Sequence, residues 1–367
     1  MNILFEGYYG YKNAGDDAFV EVASWGSQTY WNSENNTFIG QNLPQTISPI
    51  KTKSFLNNKK GFDRISFLNA FLTNDFFISA GGSTFSEMPI HSNKSLARLI
   101  SYTKKMKLGA IGVSVGPFKN LKDEVKVQKY LKSISFLALR DTRSYEYVKT
   151  LNLPYQPVKA FDLAALLPEV YQYQKKSSPT KTTIGLSICN YESYTGGSPK
   201  KEKNRNLFFK EVVKHLDKNM NIHFKVFIIN GNPIFGDQEI SKNLVEGINP
   251  EKIEFIPYQK ELKKTWDEIA SCDLVISTRL HASIFACFAQ VPFLLIEYHK
   301  KCTDFLKDVG QSKDYFLGDA ELSPKKVFTI VEGILNEGYS SPKNIGQSID
   351  LARSNFTHPN ILGHFQK

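Results

Sequence analysis

The sequence predicts an α/β protein built from two Rossmann-like domains. Three observations carry this. Short apolar runs of strand length recur along the chain and alternate with longer runs of helical period. The alternation occurs twice, on either side of a polar stretch at 171–183 that has the composition of a linker. No repeat of short period is visible, which argues against a solenoid and for two separate strand–helix sets. The expected boundaries are an N-terminal domain at 1–170, a linker at 171–183 and a second domain at 184–340. A C-terminal helical segment at 341–367 would cross back to the first domain.

Composition narrows the class. At 367 residues the chain is long enough for two hydrophobic cores, and its hydrophobic fraction of 41% is ordinary for a globular protein. No apolar run reaches the roughly 18–20 residues needed to span a bilayer. The opening Met-Asn-Ile-Leu-Phe-Glu-Gly has neither the basic nor the long apolar region of a signal peptide and reads as a first strand. Cys189, Cys272, Cys287 and Cys302 form no C-x-x-C pair, so a reducing, cytoplasmic setting is expected. The net charge of +10 comes from scattered lysines rather than one basic helix. No nucleic-acid motif accompanies them, and no nucleic-acid partner is expected. A basic surface of this kind suits simple solvation, or attraction to an anionic membrane face or lipid carrier.

In chain order, a strand at 3–6 runs into a glycine-rich loop, Gly7 to Asp17, and a helix at 18–25. This resembles a phosphate-binding turn but lacks the G-x-G-x-x-G and Walker patterns. Asp16 and Asp17 suit the first helical turn, where the macrodipole favours acids. A strand at 37–39 and a short helix at 65–71 follow. The run from Asp75 reads as a buried strand ending in the pair Gly81-Gly82, followed by Ser83; glycines at a strand end let backbone N–H groups approach a ligand, or simply make a tight turn. A helix at 95–107, a strand at 110–115, a helix at 124–135 and a strand at 136–139 come next. Arg140 stands at the carboxyl end of that last strand, with Asp141 and Ser144 as caps of the helix behind it.

The second set opens with a strand at 184–188. The segment 190–205 reads as a basic, glycine-containing loop carrying Lys200, Lys201, Lys203 and Arg205. It would be either a lid over an anion or a solvated loop. A helix at 207–218, strands at 224–229 and 252–256, and a helix at 262–271 lead to the most informative stretch. There a strand at 274–276 precedes Ser277 and Thr278 as N-cap candidates, a helix at 280–289, Pro292, and a strand at 293–296. Arg279 and His281 fall at the turn, and Tyr298, His299, Lys300 and Lys301 follow the next strand. In an open parallel sheet both positions lie at the ligand-binding edge, where a helix N-terminus favours an anion. A helix at 324–336, capped by Ser323 with Pro324 in first position, and a helix at 344–355 complete the chain. The histidines other than His281 show no metal-ligand spacing, and no metal site is expected.

These residues carry a resemblance. The order Arg279-Leu-His281-Ala, Pro292, Tyr298 and Lys301, with Phe305 and Gly310 behind, resembles the C-terminal signature of the polysaccharide pyruvyl transferase family. Asn13-Ala-Gly15-Asp16-Asp17 matches its N-terminal signature, Asn-x-Gly-Asp-Asp/Glu. Gly81-Gly82-Ser83 stands where the family has two or three glycines, and Arg140-Asp-x-x-Ser144 matches a middle signature. The resemblance covers most of the chain. It departs at Ser83, which replaces a third glycine, and in the unusually basic 190–205 segment.

The resemblance implies a GT-B-type arrangement with the active cleft between the domains. It also implies transfer of the enolpyruvyl carbons of phosphoenolpyruvate to two hydroxyls of a sugar, with phosphate leaving and no cofactor required. The acceptor would be a sugar in a surface-polysaccharide precursor, on a lipid carrier at the inner membrane face. Residue chemistry fits that expectation. A compact polyanion calls for a guanidinium and an ammonium, for which Arg279 and Lys301 are the first candidates and Arg140 and Arg205 the next. His281 is the candidate acid–base group. Asp16 or Asp17 would hold or deprotonate a sugar hydroxyl, unless they only cap the helix. Tyr298, Asn13, Gly15, Gly81, Gly82 and Ser83 complete the expected substrate contacts. Two alternatives stand beside this reading: a glycosyltransferase using a nucleotide sugar on the same scaffold, and a non-catalytic glycan-binding subunit.

Overall fold

A computed structural model describes residues 1–54, 62–89, 92–103, 106–173, 182–318 and 323–366. Most of the expected linker, 174–181, lies outside the described residues, as do 104–105 of the helix expected at 95–107.

The chain forms two parallel sheets with alternating helices. The first holds β1 (Asn2–Glu6), β2 (Asn35–Ile39), β3 (Lys51–Lys53), β4 (Phe76–Phe85), β5 (Lys107–Val115), β6 (Phe136–Leu139) and β7 (Val158–Lys159), in the order β3-β2-β1-β4-β5-β6-β7. The second holds β8 (Thr183–Ser187), β9 (His223–Phe227), β10 (Ile253–Ile256), β11 (Leu274–Ser277), β12 (Phe293–Ile296) and β13 (Phe316–Leu317), in the order β10-β9-β8-β11-β12-β13. Both orders run outward from the first strand and then reverse, which is the doubly wound Rossmann pattern. The reversal points lie between β1 and β4 and between β8 and β11, and ligands bind at the carboxyl ends of strands at such points. The fold class is α/β with two Rossmann-like domains.

Burial explains the sequence pattern. β4, β5, β8, β11 and β12 are covered on both faces, so they read as continuous apolar runs rather than alternating ones. In the first sheet Phe5 of β1 lies opposite Phe38 of β2 and Ile78 of β4 in register, and the Phe5 and Phe38 rings stack at 4.7 Å.

Two compact units result. The first comprises Met1–Tyr11, Asp16–Val170 and Gly346–Lys367; the second comprises Lys12–Gly15 and Tyr171–Ile345. The C-terminal segment belongs to the first unit through specific bonds. The Trp31 indole N–H donates to the Phe356 carbonyl at 2.9 Å, and the Trp31 ring stacks on Phe365 at 3.9 Å. Fully buried Asn355 accepts the Gly112 N–H at 2.7 Å and donates to the Phe161 carbonyl at 3.0 Å.

Several local expectations are corrected. β4 does not end at its glycine pair but runs through it to Phe85, with Gly81 and Gly82 at φ of +75° and +77° and a register shift against β5. The glycines make a bulge, not a stop. The helix expected at 95–107 is Asn93–Ser101, because Lys107 already begins β5. The helix expected at 18–25 begins at Ala14, where Asn13 caps it by accepting the Gly15 N–H at 3.1 Å. The segment 190–205 is not a loop. It contains the short helix Glu192–Thr195 and the start of the helix Pro199–Asn219, for which Ser198 is the N-cap and Pro199 the first residue. Ser277 and Thr278 do not cap the Leu280–Phe288 helix; Arg279 occupies the N-cap position without a side-chain capping bond. The helix Lys300–Asp308, capped by His299, and the short strands β3 and β13 escaped the sequence reading.

Candidate functional site

In the second unit the ends of β8, β9, β11 and β12 present their residues at one edge. The end of β11 is tied to the end of β8: Thr278 N–H donates to the Ser187 carbonyl, and the Thr278 hydroxyl accepts the Cys189 N–H, both at 2.8 Å. Arg279 follows. Its Nε donates to Asp237 Oδ2 at 2.9 Å and its Nη2 to Oδ1, a bidentate pair in which the acid is 1% exposed and the arginine 18%. Asp237 also accepts the Asn230 N–H at 2.9 Å. Burial raises the Asp237 pKa, with Arg279 opposing the rise. Burial likewise works against the Arg279 charge, but the Asp237 carboxylate more than offsets it and holds the guanidinium above its ordinary value. The guanidinium is fixed in position by the acid at the N-cap position of the short helix Gln238–Leu244.

The same edge receives the loop Lys12–Gly15. Gly231 N–H donates to the Lys12 carbonyl at 2.8 Å, Ala14 N–H donates to the Ile229 carbonyl at 2.9 Å, and Asn13 bridges to Asn230. This seats Gly15 against His281. A Cβ built on Gly15 would lie 2.1 Å from His281 Nδ1 and 2.4 Å from its Cγ, so the imidazole packs where a side chain would be. The glycine of the Asn-x-Gly signature is therefore a packing requirement of the histidine, a relation that spacing alone does not reveal.

A cationic, aromatic cluster completes this edge. Lys301 Nζ sits 5.2 Å from the Tyr191 ring and 5.4 Å from the Tyr298 ring, and the Arg205 guanidinium lies 5.5 Å from the Tyr298 ring. Such cation–ring contacts hold the charges in place. Arg205 is 3% exposed and paired with Glu192 through both carboxylate oxygens. It thus sits in a buried ion pair beside the Tyr298 ring, on the helix Pro199–Asn219 rather than on a loop. His299 accepts the Lys301 N–H at 3.1 Å and caps the helix that carries Lys301. Burial drives the Tyr298 phenol well above its ordinary pKa, so it is a neutral hydroxyl at physiological pH. Asp237, Tyr191 and Glu192 are members of this site that sequence reasoning missed. For Asp237 the usable signal was the Asn230-Gly-Asn-Pro233 turn just before it.

In the first unit a separate group forms at the ends of β4, β5 and β6. Arg140 donates to Asp162 Oδ2 at 2.7 Å, to Ser114 Oγ at 2.8 Å and to Ser83 Oγ at 3.3 Å. Its guanidinium lies 5.8 Å from the Phe19 ring. A Cβ on Gly81 would meet that same ring at 2.2 Å. Gly81, Ser83, Arg140 and Phe19 thus make one packed network, in which Arg140 orients Ser83. Burial raises the Asp162 pKa, opposed by Arg140. Asp141 caps the Thr142–Lys149 helix by accepting the Ser144 N–H at 2.7 Å. Asp16 and Asp17 occupy the first turn of the Ala14–Trp31 helix, Asp17 buried and Asp16 half-buried.

Sheet order and site together define the class: an α/β protein of two Rossmann-like domains, with a cluster of cationic and aromatic side chains at the strand ends of the second. The profile of the polysaccharide pyruvyl transferase family matches residues 13–300, more than half of the chain. The chain belongs to the polysaccharide pyruvyl transferase family. The match begins at Asn13 and ends one residue before Lys301. No curated protein sequence matches the chain. Solved structures resemble it in fold. UDP-GlcNAc 2-epimerase from Neisseria meningitidis bound to UDP-GlcNAc is 9% identical, with a TM-score of 0.59 over 95% of this chain and 98% of that one. UDP-GlcNAc 2-epimerase from Methanocaldococcus jannaschii is 12% identical, with a TM-score of 0.58 over 95% and 97%. Anabaena HepE in complex with UDP-glucose is 11% identical, with a TM-score of 0.54 over 100% and 97%.

Proposed function

We propose that the protein transfers pyruvate from phosphoenolpyruvate to two hydroxyls of one sugar in a polysaccharide precursor, forming a cyclic ketal and releasing phosphate. The observation that carries this reading is the cluster of Arg279, Lys301, Tyr298 and His281 at one edge of the second sheet. The donor is compact and polyanionic. Arg279 and Lys301 are positioned cations of the two kinds it needs, and the N-terminus of the Leu280–Phe288 helix, uncapped by a side chain, adds a favourable dipole.

The reaction must add a proton to the methylene carbon, making it a methyl group. It must form two C–O bonds to C2 and break the bond from C2 to the phosphate oxygen. The two hydroxyls lose two protons; one balances the new methyl group and the other leaves with phosphate. His281 is the proposed proton carrier, held by Gly15. Neutral Tyr298 is a proposed hydrogen-bond donor to the anion. Asp16 is a proposed acceptor-side base, while buried Asp17 serves the helix. Asn13 acts by holding the Lys12–Gly15 loop. The Gly81-Gly82-Ser83 bulge, supported by Arg140, is proposed to face the acceptor. Arg205 acts through Tyr298. No cofactor enters this scheme.

The acceptor is proposed to be presented at an anionic membrane surface. Among the described residues no helix is long and apolar enough to cross a membrane. Leu99, Tyr102, Leu121 and Val125 are exposed on or beside the helices Asn93–Ser101 and Leu121–Leu131, the second of which also carries Lys122, Lys126 and Lys129. Apolar side chains among lysines suit the interface of an anionic bilayer.

A second reading, a nucleotide-sugar enzyme, is favoured by the fold neighbours, whose own ligands are UDP-sugars. Calorimetric titration with phosphoenolpyruvate beside UDP- and CMP-sugars separates the two. Saturable phosphoenolpyruvate binding that Lys301→Ala weakens is expected. Binding of a nucleotide sugar with no response to phosphoenolpyruvate would overturn the proposal.

A further inference from the structure

At the carboxyl ends of β1 and β4, wholly within the first unit, lies a pocket of 290 Å³ whose wall includes Glu6, Tyr8, Thr84, Glu87, Ser92 and Lys94. It stands at the reversal point of the first sheet, where the doubly wound fold places ligands. We propose that this pocket is a binding subsite for one neutral sugar ring. Its identification with the acceptor rests on the pyruvyl-transfer reading; its existence as a sugar site does not.

Size and charge select the ligand. Small-molecule pockets span about 300–1,000 Å³, so this one sits at the lower limit and suits a single ring rather than a nucleotide sugar. Both of its carboxylates already have a cation. Lys94 Nζ lies 2.6 Å from Glu6 Oε2, with both side chains largely buried, and Lys119 Nζ lies 2.8 Å from Glu87 Oε2. The pocket therefore carries no excess charge for an anion to answer. Fixed carboxylate and ammonium groups side by side offer charge-assisted acceptors and donors to neighbouring hydroxyls. Tyr8, 51% exposed, supplies an aromatic face for the apolar side of a sugar ring.

Thr84 supplies the independent observation. It lines the pocket and is only 6% exposed, and its buried hydroxyl has no hydrogen-bond partner among the described residues. A buried hydroxyl is destabilising unless it is bonded, and a ligand group is one partner that can supply the bond. A sugar hydroxyl reached by a small rotation of the threonine side chain is such a partner.

The test is a titration of the full chain with methyl glycosides of neutral hexoses and N-acetylhexosamines, followed by saturation-transfer NMR, for wild type, Thr84→Val and Tyr8→Ala. Thr84→Val keeps the shape and removes only the hydroxyl, so its melting temperature should equal or exceed that of wild type. At least one glycoside should bind saturably, and each substitution should weaken it about tenfold while leaving phosphoenolpyruvate affinity unchanged. A panel that does not bind, or binding that both substitutions leave intact, overturns the subsite. A chain that binds the sugar through Thr84 but ignores phosphoenolpyruvate contradicts pyruvyl transfer and leaves the subsite standing.

Discussion

Gly15 and His281 are in direct contact, and the contact excludes any side chain at position 15. Their separation in sequence is most of the chain, yet a Cβ on Gly15 would stand 2.1 Å from the imidazole Nδ1. Gly15→Ala is therefore expected to push the ring aside rather than to unfold the protein, because alanine is at home in a first helical turn. A displacement near 1 Å at a proton-transferring group costs on the order of 10²-fold in rate. Steady-state kinetics should show kcat reduced on that scale with phosphoenolpyruvate affinity nearly retained. Equal loss of both would mean that Gly15 supports the donor site instead.

The Arg279–Asp237 pair predicts a large stability effect from a residue with no proposed contact to substrate. Asp237 is almost wholly buried and bonds both Arg279 and the Asn230 N–H. Asp237→Ala leaves a mostly buried guanidinium without its partner, which costs about 3–5 kcal/mol in comparable buried pairs. Urea denaturation would read this directly. A loss below 1 kcal/mol would show that the pair behaves as an exposed one.

Glu192 gives a pH prediction. The hydrogen bond from Arg205 lowers its pKa below the ordinary glutamate value. A carboxylate with a depressed folded pKa contributes stability above its unfolded pKa, about 4.3, and loses that contribution as pH falls through the lower folded value. Acid melting curves should therefore decline below that point in wild type. Glu192→Gln should be less stable at neutral pH and lose less on acidification. Parallel pH curves for the two proteins would contradict this.

Asn355 predicts the importance of the C-terminal segment to the first unit. Its amide satisfies the buried Gly112 N–H and the Phe161 carbonyl together. Asn355→Leu would strand both groups at about 1–3 kcal/mol each. The melting temperature should fall clearly, and the protection of the Gly112 amide against hydrogen exchange should drop. Unchanged protection would show that another group takes over the bond.

Much of the fold was legible because its strands are covered on both faces. β11 and β12 read as unbroken apolar runs, and the intervening Arg279 and His281 stood out at a strand–helix turn. The residues hardest to see were those whose role depends on a partner remote in sequence. Asp237 is an ordinary acid at the start of a short helix until β9 and β11 bring it to Arg279. The 190–205 segment has the composition of a loop, and its lysines and glycines hide a helix whose start is marked only by Ser198-Pro199. Gly81 and Gly82 looked like a strand terminus, since a bulge and a turn use the same residues. The alliance of Gly15 with His281 had no local signal beyond the family order of residues.

The most direct test of the central claim follows phosphoenolpyruvate labelled with ¹³C at C2 in the presence of the protein and a panel of saccharide acceptors, by NMR. Pyruvyl transfer predicts that the enol carbon signal gives way to a saturated quaternary carbon bonded to two oxygens, with stoichiometric phosphate release, and that His281→Ala abolishes this. An unchanged enol signal, with a nucleotide sugar consumed by the same preparation, would contradict it.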